Sequence, residues 1–558
     1  MKKINFKTWL VPIGLALVLV AFRLPGVNQP YHQDEFKWAQ IVAKGSPVAG
    51  IIPHPPLSEA IYIFADRVFG NDHLRIMPLL FSILNLFLLY AVVKRRYGPR
   101  VAVVASAVYA VAFHSVLASL MVDTDGQVLP FWFLLAVMGY DRWRDAATKK
   151  RRLVWLALFF GGLIGGLLTK LSCILPVAAF GIDALIEYRH HLTRKRLFKI
   201  GIAFLIGFGV ILIALLNAHF VFKTFSLDWL FAYTSRFFTF GSRNHFQIMV
   251  QVLKSVMYAS PLLLAPVLLV SKDMVRRTRL FWIFMGVALM FYLVLFDFSV
   301  GCLDRYLQVL VVPLSVISSL VYVEIFEKHG KRIRIWHAAT AAIAAIALFG
   351  LQFLPHIVPP QHPKAEWLAR IISFKWNFLF PFSGGSGPLG FYVSFLLMAV
   401  GFLVALALVV AIRVKPQARK ILLLILAAVG FAYNLAFTEE YLFGAINGNA
   451  PDVMRKATTF VIENPEIETV ITYNDIAANE LTNAGKYYKR LYVDPMFEAS
   501  NIKKLNEAKG YYLVVDMPHL NPDSIYAKYF ASCRAVYHDS SGRIDAYVYD
   551  CREAQDVE

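Results

Sequence analysis

Charge is scarce in this chain. Asp, Glu, Lys and Arg together make up 17% of its 558 residues, while apolar residues make up 58%. Soluble domains carry about a quarter charged residues, so an ordinary soluble domain is excluded. Cysteine is scarcer still, with four in the whole chain, too few for a disulfide scaffold. No Walker loop, dinucleotide fingerprint or Cys-x-x-Cys occurs, which removes the familiar soluble nucleotide and redox sites. No internal repeat is visible. The basic, apolar N-terminus "MKKINFKTWLVPIGLALVLVAFRLPGV" lacks a small-x-small cleavage site and reads as a retained first span.

What the chain has is long apolar runs, bounded by charges or prolines and long enough to cross a hydrocarbon core as helices. They predict thirteen spans, near 9–24, 74–93, 101–120, 127–140, 153–169, 171–187, 200–218, 251–270, 280–297, 305–325, 335–353, 390–412 and 421–437. The net charge of +19 does not point to nucleic acid. More than half of the Lys and Arg residues fall in the N-terminus and in the short loops Lys94–Arg100, Arg142–Arg152, Arg189–Lys199, Lys272–Arg279, Lys328–Arg334 and Arg413–Lys420. These loops sit at every second crossing, the positive-inside pattern. The N-terminus is then inside and the C-terminus outside. Two parts follow: a membrane part over 1–437, with a first outer loop at 24–73, and an extracytoplasmic α/β domain over 438–558. In the latter, helical "PDVMRKATTFVIEN" alternates with β-rich "TVITYND", "GYYLVVD" and "AYVYD". The fold class expected is a polytopic α-helical membrane protein of about 13 transmembrane helices with a small outer α/β domain.

Candidate chemistry gathers on the outer side. The first outer loop carries Asp34 and Glu35, on a segment 34–45 that, like 56–69, reads as a short surface helix. A carboxylate beside low-dielectric lipid can serve as a general base, and adjacent carboxylates resist ionising together. The bland alternative is a solvated acidic pair. In "PHPPLSEA" the prolines present His54 rigidly, either as a loop corner or as a metal ligand or phosphate donor. Arg75, Asp123, Asp125, Lys170 and the pair Asp304-Arg305 lie at outer span ends. Each alone could snorkel, but together they suit a phosphorylated lipid head group. Cys173 falls in a span and Cys302 in an outer loop. Cys533 and Cys551 are symmetric about Gly542 in "CRAVYHDSSGRIDAYVYDC", so a hairpin would bring them face to face. They are either a disulfide or two free thiols.

Five segments in order, "HQDEFKWAQ", "HPPL", "HLRIMPLLFSILNLFLLYAVVKRRYG", "GGLIGGLLTK" and "DRYLQVLVVPL", span roughly 10–320. With this topology the chain resembles the GT-C superfamily of polyprenyl-phosphate-dependent glycosyltransferases, in the group holding protein O-mannosyltransferases and lipid A aminoarabinose transferases. The resemblance implies transfer of one sugar from a polyprenyl phosphate to an extracytoplasmic protein, lipid or envelope glycan, with inversion. It implies Asp34 as the base and Glu35 as its partner. Arg75 and Arg305, with Lys170 alongside, would hold the donor phosphate, and Tyr306 completes the Arg-Tyr motif. Asp125, with Asp123 competing, matches the Asp near the fourth span. The departure is Asp304, an acid directly before Arg305 that could neutralise it. A divalent metal is left open. The setting implied is the cytoplasmic (inner) membrane of a prokaryote. The competing reading is a transporter or flippase of lipid-linked sugars.

Overall fold

The computed structural model describes residues 9–44, 55–189, 193–221, 226–235, 244–295, 297, 303–328, 333–360, 364–382, 389–491 and 498–557. Each of the thirteen predicted stretches is helical over most of its length. Among the described residues, eight helices are long and apolar enough to cross a membrane, or nine if one bent pair counts as a single span. The helices Leu10–Gly26 and Arg279–Leu295 are shorter apolar ones. The chain is an integral membrane protein.

The basic loops meet at one end of the bundle, where ion pairs tie them together. Arg96 pairs with Asp141 through two 2.6 Å bonds. Arg144 and Arg279 share Glu187, and Arg279 also reaches Asp183 at 2.7 Å. Arg100 reaches Glu327 at 2.6 Å. Close packing follows from small residues. A Cβ on Gly139 would lie 2.6 Å from the Phe159 nitrogen, and one on Gly162 would lie 2.9 Å from the Ala136 nitrogen. The helices Val128–Arg144 and Lys149–Thr169 therefore touch backbone to backbone.

One predicted span departs from a straight helix. The stretch 101–120 is two helices, Pro99–Val111 and Phe113–Ser119, bent by 64° at Ala112. A break at membrane depth orphans backbone groups, and each needs a substitute partner. The Phe113 N–H donates to Asn434 Oδ1 at 2.6 Å. The Ala110 carbonyl accepts from Arg23 Nη1 at 2.8 Å. Arg23, fully buried, also donates to Ser119 and Ser115 hydroxyls and to the Leu19 carbonyl. A second departure is the predicted span 390–412. Its helix starts at Phe395, because the preceding residues form an antiparallel hairpin of β1 (Leu379–Phe382) and β2 (Phe391–Ser394).

The end opposite the basic loops carries the two short helices Asp34–Lys44 and Pro56–Phe69, the turn 120–127, and a five-stranded sheet. The strands are β3 (Val470–Tyr473), β4 (Tyr487–Leu491), β5 (Tyr511–Val515), β6 (Arg534–Ser541) and β7 (Ile544–Asp550). Their order is β4-β3-β5-β7-β6, parallel for the first three and antiparallel beyond. Alternation along β5 explains its burial on both faces. Tyr511, Leu513 and Val515 enter the core under helix Ala450–Glu463, while Tyr512 and Val514 pack with Tyr526, Tyr529 and Phe530 on the other face. β6 and β7 turn at Gly542, which adopts φ +58°. Just beyond the paired Arg534 and Asp550, Cys533 and Cys551 are joined by a disulfide. Cys173 is a buried free thiol.

Candidate active site

The helix Asp34–Lys44 begins at Asp34, aimed by Gln33, a buried non-glycine residue at φ +43°. Such backbone persists only where its surroundings over-determine it. The two adjacent carboxylates then take opposite paths. Glu35 turns inward and forms a fork-to-fork pair with Arg75, Nε to Oε1 at 3.0 Å and Nη2 to Oε2 at 2.5 Å. Both side chains are 1% exposed. Around this pair the backbone is pinned. Arg75 donates to the carbonyls of Gln29 and Pro30, and Glu35 accepts from the N–H of Val122 and of His32. The Tyr31 ring lies 5.3 Å from the guanidinium.

Asp34 turns outward and remains 30% exposed. Its Oδ1 accepts from Lys37 Nζ at 2.5 Å, and its Oδ2 accepts from Arg305 Nη1 at 3.1 Å. Burial would raise its carboxyl, but Arg305 and Lys37 outweigh it and hold the group below the usual carboxylate range. Arg305 also faces Asp123 Oδ2 at 3.1 Å and Asp125 Oδ2 at 4.0 Å, and donates from Nη2 to the Tyr306 hydroxyl at 3.0 Å. Lys170 bonds Asp125, and the Tyr306 ring lies 4.8 Å from both Lys170 and Arg305. Burial pushes the Asp125 carboxyl up to about 6 against the pull of Lys170, with Asp123 adding to the rise.

Local sequence explains how these groups converge. The glycines of "GGLIGGLLTK" let Trp132 sit over Gly165 and donate to Thr169 Oγ1 at 2.9 Å, which places the next residue, Lys170, against the turn holding Asp125. That turn is fixed by Glu35 at Val122 and by the Tyr62 hydroxyl, which donates to the Asp123 carbonyl at 2.7 Å.

The structure thus brings together Asp34, Asp123, Asp125, Lys170, Arg305 and Tyr306. It sets Glu35 and Arg75 apart as a closed pair behind them. Arg75 has its guanidinium consumed by Glu35 and two carbonyls, so the pair stands as a brace and not as an open phosphate contact. His54 and the side chain of Asp304 lie outside the described residues. Lys37 is a site residue that the sequence reading passed over, although its i,i+3 spacing from Asp34 was the available signal. Among the described residues no three His, Cys, Asp or Glu side chains are placed to share a metal ion. Each of the three carboxylates has Arg305 beside it, and Asp125 has Lys170 as well.

Residues 53–217 match the family model described as dolichyl-phosphate-mannose-protein mannosyltransferase. No curated protein matches the chain. Among solved structures, ArnT from Cupriavidus metallidurans in the apo state aligns with a TM-score of 0.56 at 15% identity, over 98% of each chain. The same protein bound to undecaprenyl phosphate aligns at 0.54, again with 15% identity and 98% of each chain covered. A part of the Pmt1-Pmt2 complex of S. cerevisiae aligns at 0.32, with 20% identity, over 39% of this chain and 34% of that one, and adds nothing to the fold assignment. The architecture is that of a polytopic helical membrane protein with the ArnT fold. The family match is confined to residues 53–217, and the likeness to ArnT, over nearly the whole chain, is one of fold.

Proposed function

We propose that the protein transfers a single sugar from a polyprenyl-phosphate donor to a hydroxyl of an extracytoplasmic acceptor (protein, lipid or envelope glycan). The observation that carries this reading is the contact of Asp34, the most exposed carboxylate of the cluster, with Arg305. A base and a phosphate-binding cation are thereby adjacent on one face. Undecaprenyl phosphate in the structurally similar ArnT supports a lipid-linked donor.

Asp34 takes the acceptor hydroxyl proton as that oxygen attacks the anomeric carbon. The bond from the anomeric carbon to the phosphate oxygen breaks, and its electron pair leaves with the polyprenyl phosphate. Direct displacement inverts the anomeric centre. The leaving phosphate needs no proton at neutral pH, so Arg305 and Lys170 stabilise its charge in place of a general acid. Tyr306 orients both cations. Glu35 and Arg75 are positioning residues that hold the Asp34 helix to the 120–127 turn. The basic loops face the cytoplasm under the positive-inside rule. The site and the domain over 438–558 then face outward, across the inner membrane of a prokaryote.

The test is release of polyprenyl phosphate from a panel of polyprenyl-phosphate sugars, with host membrane extract supplying acceptor. Wild type should release it from one donor and Asp34→Asn from none. Release by both proteins alike would remove Asp34 from the chemistry, and release by neither would remove the transferase reading of this site.

A further inference from the structure

The cluster at the outer end is electrically balanced before any substrate arrives. Three cations, Lys37, Lys170 and Arg305, face three carboxylates, Asp34, Asp123 and Asp125. The Arg305 fork is committed: Nη1 to Asp34, Nε towards Asp123 and Nη2 to the Tyr306 hydroxyl. Three of its five N–H groups are engaged and two anions already flank it, so a donor phosphate that binds Arg305 competes with a carboxylate for the guanidinium. The two carboxylates differ in how readily they leave. Asp123 is 5% exposed and sits in a turn whose backbone is pinned by Tyr62 and Glu35. Asp34 is 30% exposed, stands at the first turn of a surface helix and has a second cation, Lys37, to keep it ionised.

We infer that Arg305 is an exchange site: in the resting protein it holds Asp34, and the incoming donor phosphate takes Asp34's place on the guanidinium. This inference rests on the transferase reading above. The consequence is order. While Arg305 and Lys37 both bond it, Asp34 has both oxygens occupied by cations and is a poor proton acceptor. Phosphate at Arg305 frees Oδ2 at the moment a sugar is present. The base is kept a poor proton acceptor until the donor is seated. Arg305 acts as phosphate ligand and as the switch for Asp34, with no conformational change larger than a side-chain rotation.

The exchange predicts an unusual phenotype, since removing the base should improve donor binding. Undecaprenyl phosphate is titrated into nanodiscs holding wild type, Asp34→Asn, Asp34→Glu or Asp72→Asn, and the dissociation constants are compared. Asp72 lies in the same loop region and bonds Asn479 and not Arg305, so its variant removes an equal charge without touching the lock. Asp34→Asn should bind roughly two- to fivefold tighter, as expected for loss of one partly exposed competing ion pair. Asp34→Glu and Asp72→Asn should stay close to wild type. In the transfer assay Asp34→Asn should be inactive despite its tighter binding. Saturable binding that is equal or weaker in Asp34→Asn overturns the exchange but leaves the transferase reading standing. Equal tightening in Asp72→Asn also overturns it, because the effect would then be a general field. Absence of binding in every version overturns the lipid-phosphate reading and the exchange together.

Discussion

The side-chain oxygen of Asn434 accepts the backbone N–H of Phe113 at 2.6 Å, across a separation of 321 residues. Its amide donates in turn to Ser260 Oγ at 2.9 Å and to the Gly430 carbonyl at 2.7 Å. One asparagine thus serves the bend at Ala112 and the kink at Ser260, which adopts φ +65°. Asn434→Leu orphans the Phe113 N–H in an apolar interior, at a cost of about 2–4 kcal/mol. Thermal unfolding in nanodiscs should show a lowered midpoint. An unchanged midpoint would mean that the bend is held by Arg23 alone.

The Glu35–Arg75 pair predicts a fold defect and not a chemical one. Arg75→Met strands a buried carboxylate, which costs about 3–5 kcal/mol. Adding Glu35→Gln should recover part of that loss, because the stranded charge is gone. Yield of folded protein and thermal midpoint are the measurements. If Arg75→Met kept wild-type stability while losing undecaprenyl phosphate binding, Arg75 would be a phosphate ligand after all.

Asp34 gives the pH dependence. Its folded carboxyl lies below the usual range, with burial opposed and exceeded by Arg305 and Lys37. Its pairing therefore contributes stability above the ordinary carboxylate range, and that contribution is lost as pH falls through the folded value. At neutral pH Asp34→Asn should be less stable than wild type by about 1 kcal/mol or less, because the pair is partly exposed. The difference should vanish in acid. A difference that widened on acidification would reverse the sign of the argument.

The Cys533–Cys551 bridge closes a loop of sequence separation 18, which the chain-entropy model values at about 3 kcal/mol. Cys533→Ser with Cys551→Ser should raise amide exchange in β6 and β7 while leaving the membrane helices unchanged. Equal exchange with and without the bridge would show the hairpin to be held by Asn447. Its carbonyl accepts from the Arg543 N–H at 2.8 Å, and it lies where a Cβ on Gly542 would meet it at 2.7 Å.

Apolar runs and basic loops were enough to find helix in each stretch where the sequence predicts it, because hydropathy is a local property of sequence. The bend at Ala112 was invisible, since what permits it is Arg23 and Asn434, far away along the chain. The β1–β2 hairpin was hidden within a Pro- and Gly-rich segment whose strands are only four residues each. At the site, the residue types and the shared face could be read from the sequence, but not the pairing. Asp34 and Glu35 are neighbours along the chain, and a helical step of one residue turns side chains apart by more than a quarter turn. That rotation sends one carboxylate to Arg305 and the other to Arg75. Which Arg each would meet depends on the turn 120–127, whose packing no local pattern encodes.

The helix that carries Asp34 also touches the sheet region. The Phe36 ring packs edge-on against Tyr487 with centroids 5.8 Å apart, and Asp72 nearby accepts from Asn479 at 3.0 Å. That helix is therefore common property of two parts of the chain, which sets a rule for building hybrids. A graft that exchanges residues 438–558 with those of a relative puts a foreign surface against Phe36 and tilts the carboxylate two residues before it. Hybrids cut at the boundary alone should assemble yet work poorly. Those that carry residues 28–44 and 71–73 along with the graft keep the seam intact and should retain turnover.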